Sequence, residues 1–277
     1  AKVLKLGDPE HFALRSLDRL LAEVWRRETG LLHVLAYSDA SARRREIPGV
    51  LDDYAFTVIA CLDAYEATAD LSYFNFAKRI ADAMVECFLD PVSGGFFDTG
   101  KPTADEKLLG VLGTRRKPFQ DSPTPAGNSV AAIALLRLHA YTNDPGLRDK
   151  AEQTIELIAG LAGQYGLFAA TYGIAAVHLL HPHTQVVIVG NDELVGRLYD
   201  AAIASYAANK TVIKLEANEG VPQNLPPALA ETIPQLPGVK EGKTVAVICS
   251  GFTCQPPVSD PDELVRRLDA RGSTKGS

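Results

Sequence analysis

Two adjacent carboxylates and a phenol, Asp52, Asp53 and Tyr54 in the stretch LDDYAF, open a segment that then turns almost wholly apolar. Carboxylates in such a place have two uses. They cap a helix, accepting from the free amides of its first turn at the positive end of the macrodipole, or they face a cavity and handle protons there. Neighbouring positions on a helix diverge by about 100°, so Asp52 and Asp53 do not share one role. Tyr54 is in the same way either a cavity group or a packed aromatic with its hydroxyl satisfied.

Groups of matching chemistry recur along the chain. GGFFDTG carries Phe96, Phe97 and Asp98; DSPTPAGNS carries Asp121, Gly127, Asn128 and Ser129; Phe119 stands just before it, and His33 lies in the glycine-rich loop ETGLLHVLAY. Aromatic faces with carboxylates suit carbohydrate, since rings stack on the apolar faces of sugars while acids move protons. Two acids flanking a glycosidic bond make a hydrolase; one acid–base pair serves an epimerase or isomerase. Sequence does not fix the separation that decides between them. Asp52, Asp53 and Tyr54 are therefore the catalytic candidates, and the other eight (His33, Phe96, Phe97, Asp98, Asp121, Gly127, Asn128, Ser129) the substrate-binding candidates.

Other chemistries are less supported. His178, His181 and His183 cluster in AVHLLHPHTQ, but Pro182 interrupts the run and no close carboxylate completes a metal triad, so these read as ordinary histidines at a helix-to-strand junction. No metal or cofactor is expected: serine-hydrolase elbow, P-loop and HExxH patterns are absent, and VIVGND lacks a dinucleotide-binding glycine triplet. Cys254 in SGFTCQPP follows a strand in a constrained loop, and is read as a reactive thiol or as a small buried hydrophobe. The four cysteines have no CxxC spacing, which indicates neither a zinc site nor a disulfide framework.

The elements that must position these groups follow from a repeat. LKLGDPEHFALRSLDRLLAEVW, LDAYEATADLSYFNFAKRIADAMVECF and LRLHAYTNDPGLRDKAEQTIELIAG each show an apolar helix end, a turn with Asp8, Asp70 or Asp144 as predicted N-cap, and a second amphipathic helix. These are helical hairpins joined by long loops. Only AKVLKL stands for the first helix of the first copy, so the chain is expected to begin inside a hairpin. Aligning the turns sets Asp53 opposite Gly127, Tyr54 opposite Asn128 and Ala55 opposite Ser129. The two polar helix starts then share one mouth with the glycine- and aromatic-rich loops.

Beyond about Leu180 the pattern changes. TQVVIVG, KTVIKLE and KTVAVICSG read as strands, with helices from Asp192 to about Tyr206 and over DPDELVRRLDA. The expected organisation is mainly α: a helical-hairpin region over 1–183, a small α/β unit with partly parallel strands over 184–271, and a disordered tail over 272–277. Of 277 residues 46% are hydrophobic and 22% charged, with a net charge of -6. That balance excludes a nucleic-acid surface, and the runs SARRRE (Arg43, Arg44, Arg45) and TRRK (Arg115, Arg116, Lys117) read as solvated loops. No membrane span or signal peptide is visible, so a reduced, cytoplasmic protein is the default.

The order IPGVLDDYAF, GGFFDTG, DSPTPAGNSVAAIALLRL, VVIVG, GFTCQPPVSDPDEL resembles the C-terminal part of the spermatogenesis-associated protein 20 (YyaL-type) family. That resemblance implies an (α/α)6 toroid similar to N-acylglucosamine 2-epimerases and six-hairpin glycosidases, with Asp52, Asp53, Tyr54, Gly127, Asn128 and Ser129 at motif positions. Members join the toroid to an N-terminal thioredoxin-like domain. Here that domain and the early toroid helices are lacking, so an incomplete toroid is expected, completed by another chain or by a homodimer. Two functions follow: a carbohydrate-binding or carbohydrate-processing cavity for a small sugar, or a non-catalytic binding or scaffold module that works with a thioredoxin-like partner through the Cys254 loop.

Overall fold

A computed structural model describes residues 3–34, 47–101, 114–207 and 209–272. Arg43, Arg44 and Arg45 and the tail beyond residue 272 lie outside the described residues. The chain runs through α1 (Gly7–Glu23), a small antiparallel hairpin of β1 (Trp25–Arg26) and β2 (Gly30–Leu31), and then two helical hairpins. These are α2 (Leu51–Thr68) with α3 (Leu71–Phe88), and α4 (Gly127–Thr142) with α5 (Pro145–Ala162).

The turns form as the repeat predicts. The Asp70 carboxylate accepts from the Ser72 N–H at 2.8 Å and that of Asp144 from the Gly146 N–H at 2.9 Å, each satisfying a free amide at a helix start. The preceding helices end on left-handed residues, Ala69 and Asn143, whose amides return to carbonyls four residues back. Asp8 departs from the pattern: Leu6 is the N-cap of α1, so Asp8 sits inside the first turn, where its charge still favours the helix dipole.

Helix α4 packs against α2, α5 and α6 (Ala170–Leu180). It buries residues around most of its circumference, which is why AAIALLRL has no polar face. Tyr65, Phe74 and Tyr141 meet edge-on or tilted between the hairpins, with centroids 5.5 to 6.0 Å apart.

The C-terminal part adds β3 (Thr184–Val189), α7 (Leu194–Ala204), β4 (Lys210–Leu215), the single-turn helices α8 (Pro227–Ala230) and α9 (Pro237–Lys240), β5 (Val245–Ser250), β6 (Thr253–Cys254) and α10 (Pro261–Gly272). The sheet order is β4-β3-β5-β6, with β3–β4 parallel and β3–β5 antiparallel. Both faces are covered, so the strands read as continuous apolar runs. Val187, Val189, Ile213 and Val247 join the core of the hairpins, while Val186, Ile188, Val212 and Ile248 pack with Leu198 of α7 and Leu264 of α10.

A buried polar network crosses from hairpins to sheet. The Arg137 guanidinium contacts Glu66 at 2.8 Å and Asp63 at 2.7 Å, and the Tyr141 hydroxyl donates to Glu66 at 2.9 Å. Beyond Tyr141, His183 bridges Asn209 (2.5 Å) and Thr211 (3.2 Å). Burial, then the Arg137 charge, pushes the His183 imidazole down to about 4, so it is neutral at pH 7. Among the described residues no helix is long and apolar enough to cross a membrane.

Candidate functional site

At the start of α2 the chain comes in from the β1–β2 hairpin. Leu32 bridges Pro48, the His33 N–H donates to the Ile47 carbonyl and the Gly49 N–H to that of Leu31. This ladder sets His33 beside the helix, with Nδ1 2.8 Å from Asp53 Oδ2. The same Asp53 carboxylate accepts from the Val50 N–H at 2.8 Å. That is the reach-back half of a capping box; Val50 has no side-chain oxygen to supply the other half. Asp53 thus satisfies the N-cap amide of Val50 from inside the first turn.

Asp52, one position on, points elsewhere. A Cβ added to Gly127 would lie 2.1 Å from Asp52 Oδ1, so the bare glycine at the start of α4 is what gives this carboxyl its room. Among the described residues no hydrogen bond reaches it. Burial first, then the charges of Asp53 and Asp98, raise its pKa above the ordinary carboxylate value. Asp52, Asp53 and His33 line one cavity of about 360 Å³ with Phe56, Thr57 and Thr124. The alignment of helix starts therefore brings together His33, Asp52, Asp53 and Gly127.

The other expected site residues have structural work. Tyr54 is buried: its hydroxyl oxygen accepts from the Leu31 N–H at 2.8 Å, its ring edge meets Phe88, and Gly30 passes so close that a Cβ there would lie 1.9 Å from the hydroxyl. Asn128 is fully buried, accepting from the Phe96 N–H and donating to the Phe96 and Pro118 carbonyls. It thereby fastens the GGFF loop, and Phe96 is fully buried too. Asp121 accepts from the Ala126 and Thr171 amides. Asp98 accepts from the Arg116 N–H, while its own carbonyl takes the Leu51 amide. Ser129 is buried, and its hydroxyl is without a partner among the described residues.

Nor is the TRRK run simply solvated. The Arg115 guanidinium stacks 4.0 Å from the Phe97 ring centroid, and Lys117 pairs with Asp90 at 2.6 Å, holding that carboxyl down at about 2. These cations lock Phe97 in place rather than leave it open as a stacking platform.

The cysteine reading needs correction. Cys254 is neither a free thiol nor an unpaired hydrophobe: it is disulfide-bonded to Cys249. The reason is register. Gly251 and Phe252, both at positive φ, make a two-residue turn that sets Cys249 directly opposite Cys254. The Gln255 amide donates to the Ile248 carbonyl, so the cysteines occupy the adjacent, closer kind of cross-strand pair, with Cα atoms 4.0 Å apart. The signal was present as two cysteines symmetric about the turn in CSGFTC, five residues apart rather than three.

This disulfide borders a second cavity, of about 550 Å³, between α4, α6, α8 and the sheet. His139, His178, His181 and His183 line it. Burial lowers His178 to about 4, and its Nδ1 has no partner among the described residues. Among those residues no three His, Cys, Asp or Glu side chains converge to hold a metal. Sequence reasoning located these histidines at the helix-to-strand junction but not the cavity, which requires the sheet to fold back over α4.

No family model matches the sequence. Among curated proteins it is 29% identical over 224 residues to spermatogenesis-associated protein 20 of Homo sapiens, a match covering 79% of this chain and 27% of that protein. The Mus musculus protein of the same name matches equally, and an uncharacterised Caenorhabditis elegans protein is 25% identical over 83% of the chain and 30% of its own length. The chain spans roughly a quarter of the length of these relatives. Over the matched stretch the chain is similar to the spermatogenesis-associated protein 20 proteins.

Proposed function

We propose that the cavity at the start of α2 is a proton-handling site for a small polyhydroxylated ligand of the carbohydrate class, with Asp52 as acid/base. The observation that carries this is the state of Asp52: half-buried, without a hydrogen bond among the described residues, and raised in pKa beside a charged neighbour. A carboxyl kept protonated nearer neutrality is a better general acid than a solvated one. His33, held by Asp53, supplies a polar contact, Thr57 and Thr124 add hydroxyls, and Phe56 offers a partly exposed ring for an apolar sugar face.

The arrangement favours single-acid, epimerase-like proton transfer over two-carboxylate hydrolysis, because Asp53 is spent on its cap and His33, and Asp98 on the Arg116 amide. In this reading the two hairpins are an arc of an (α/α)6 toroid, completed by chain from elsewhere. Titrating monosaccharides and N-acylhexosamines against the chain by calorimetry tests it. Saturable binding that weakens about tenfold in Asp52→Asn is expected; a bound sugar whose affinity and turnover ignore that substitution removes Asp52 from the mechanism.

A second reading, a scaffold without catalysis that docks a thioredoxin-like domain, has its own observation. Tyr54, Asn128, Asp98 and Asp121 all spend their polar atoms on this chain's own backbone. A sugar panel with no saturable binding favours the scaffold.

A further inference from the structure

We propose that the Cys249–Cys254 disulfide is an exchange site for a low-molecular-weight thiol that enters the cavity it borders. Four observations lead there. Both cysteines lie on the wall of the cavity of about 550 Å³, a volume suited to a small molecule. The bond joins residues that the β5–β6 register and its two-residue turn already hold opposite one another, so it adds little constraint to the folded hairpin. The lining includes Arg148 and Glu231, one group of each sign, with the His178 imidazole and its unpartnered Nδ1, and Phe252 at the turn, whose ring stands 5.2 Å from that of His139. This suits a zwitterionic, amino-acid-type thiol. The remaining cysteines stand apart: neither Cys61 nor Cys87 lines the cavity, and Cys61 is fully buried in the hairpin core.

The chemistry balances without any other reagent. The incoming thiol loses its proton to water, and its thiolate attacks Sγ of Cys254, the more exposed of the pair. The protein S–S bond breaks, a mixed disulfide forms on Cys254, and Cys249 leaves as a thiolate that takes up a proton. With no third protein thiol on the cavity wall, a second molecule of the small thiol resolves the mixed disulfide. One protein disulfide becomes two thiols while two small thiols become one small disulfide, and the reverse reaction reoxidises the protein.

The test uses the intact chain with reduced glutathione as the probe, following Cys249–Cys254 by alkylation quench and mass spectrometry. Two results are expected: a rate that saturates with glutathione concentration, and at low concentration a rate about tenfold above that of the same disulfide in the urea-unfolded chain. The trapped adduct should sit on Cys254, and Ala228→Trp, which fills the cavity from α8, should abolish saturation. A native rate that is linear in glutathione and slower than the unfolded one overturns the proposal and makes the bond a structural cross-link. Saturation with reduced thioredoxin, when glutathione gives none, overturns it too, by assigning a protein partner. The wild-type comparison stands even if the tryptophan variant fails to fold.

Discussion

At the scale of single residues, the adjacent acids of LDDYAF have opposite fates because about 100° of helix separates them. Asp53 turns back to its own helix start, and Asp52 turns towards Gly127. The pKa of Asp52 is raised in the folded chain above its ordinary 3.8, so the folded state holds the proton more tightly than the unfolded state. The stability linked to that proton is fully present below about pH 3.8 and is lost as pH rises through the folded value. Asp52→Asn keeps a neutral side chain of the same shape at every pH. Thermal melts from pH 3 to pH 8 should therefore show the variant above wild type near neutrality, with the gap closing towards pH 3.8. A gap that is absent at pH 7, or that grows in acid, shows a carboxylate better solvated than its position indicates. The sequence displayed these residue types but not their directions: nothing in AGNS says that Asn128 faces the GGFF loop, or in LDDY that Tyr54 lies under Gly30.

At the scale of elements much more was legible, because the signals are local. An apolar run, a residue able to adopt the left-handed conformation, an aspartate and a second amphipathic run specify a helical hairpin twice over, at Ala69–Asp70 and Asn143–Asp144. Asp70→Ala and Asp144→Ala should each cost about 1 kcal/mol, since each leaves a first-turn amide without its carboxylate. The caps serve separate turns, so the double variant should lose the sum to within about 0.5 kcal/mol by urea titration. A much larger joint loss would mean the hairpins lean on one another through their turns. The CSGFTC hairpin is just as local, but cysteine spacing alone does not reveal it: the pairing depends on the turn between the two cysteines. Phe252 conceals the signal, being a bulky residue at the left-handed position where glycine or asparagine is usual.

At the scale of the whole molecule, the network from Glu66 to Asn209 ties the hairpins to the sheet, and no local pattern announces it because its members are far apart in sequence. Its centre is Arg137, in an otherwise apolar helix. Of its two carboxylates, Asp63 is 63% exposed on its side chain and Glu66 only 10%, so the Glu66 contact carries the energy. Arg137→Met removes the cation and strands the buried Glu66 charge, which also anchors the Tyr141 hydroxyl; a loss of about 3–5 kcal/mol is expected. Glu66→Leu in the same chain removes the stranded charge, so the double variant should recover much of that loss even though another contact is gone. Denaturant unfolding of wild type, both single variants and the double variant measures the coupling directly. Strictly additive losses would show that the two charges do not depend on each other, and that the hairpins are held together here by apolar packing rather than by the ion pair.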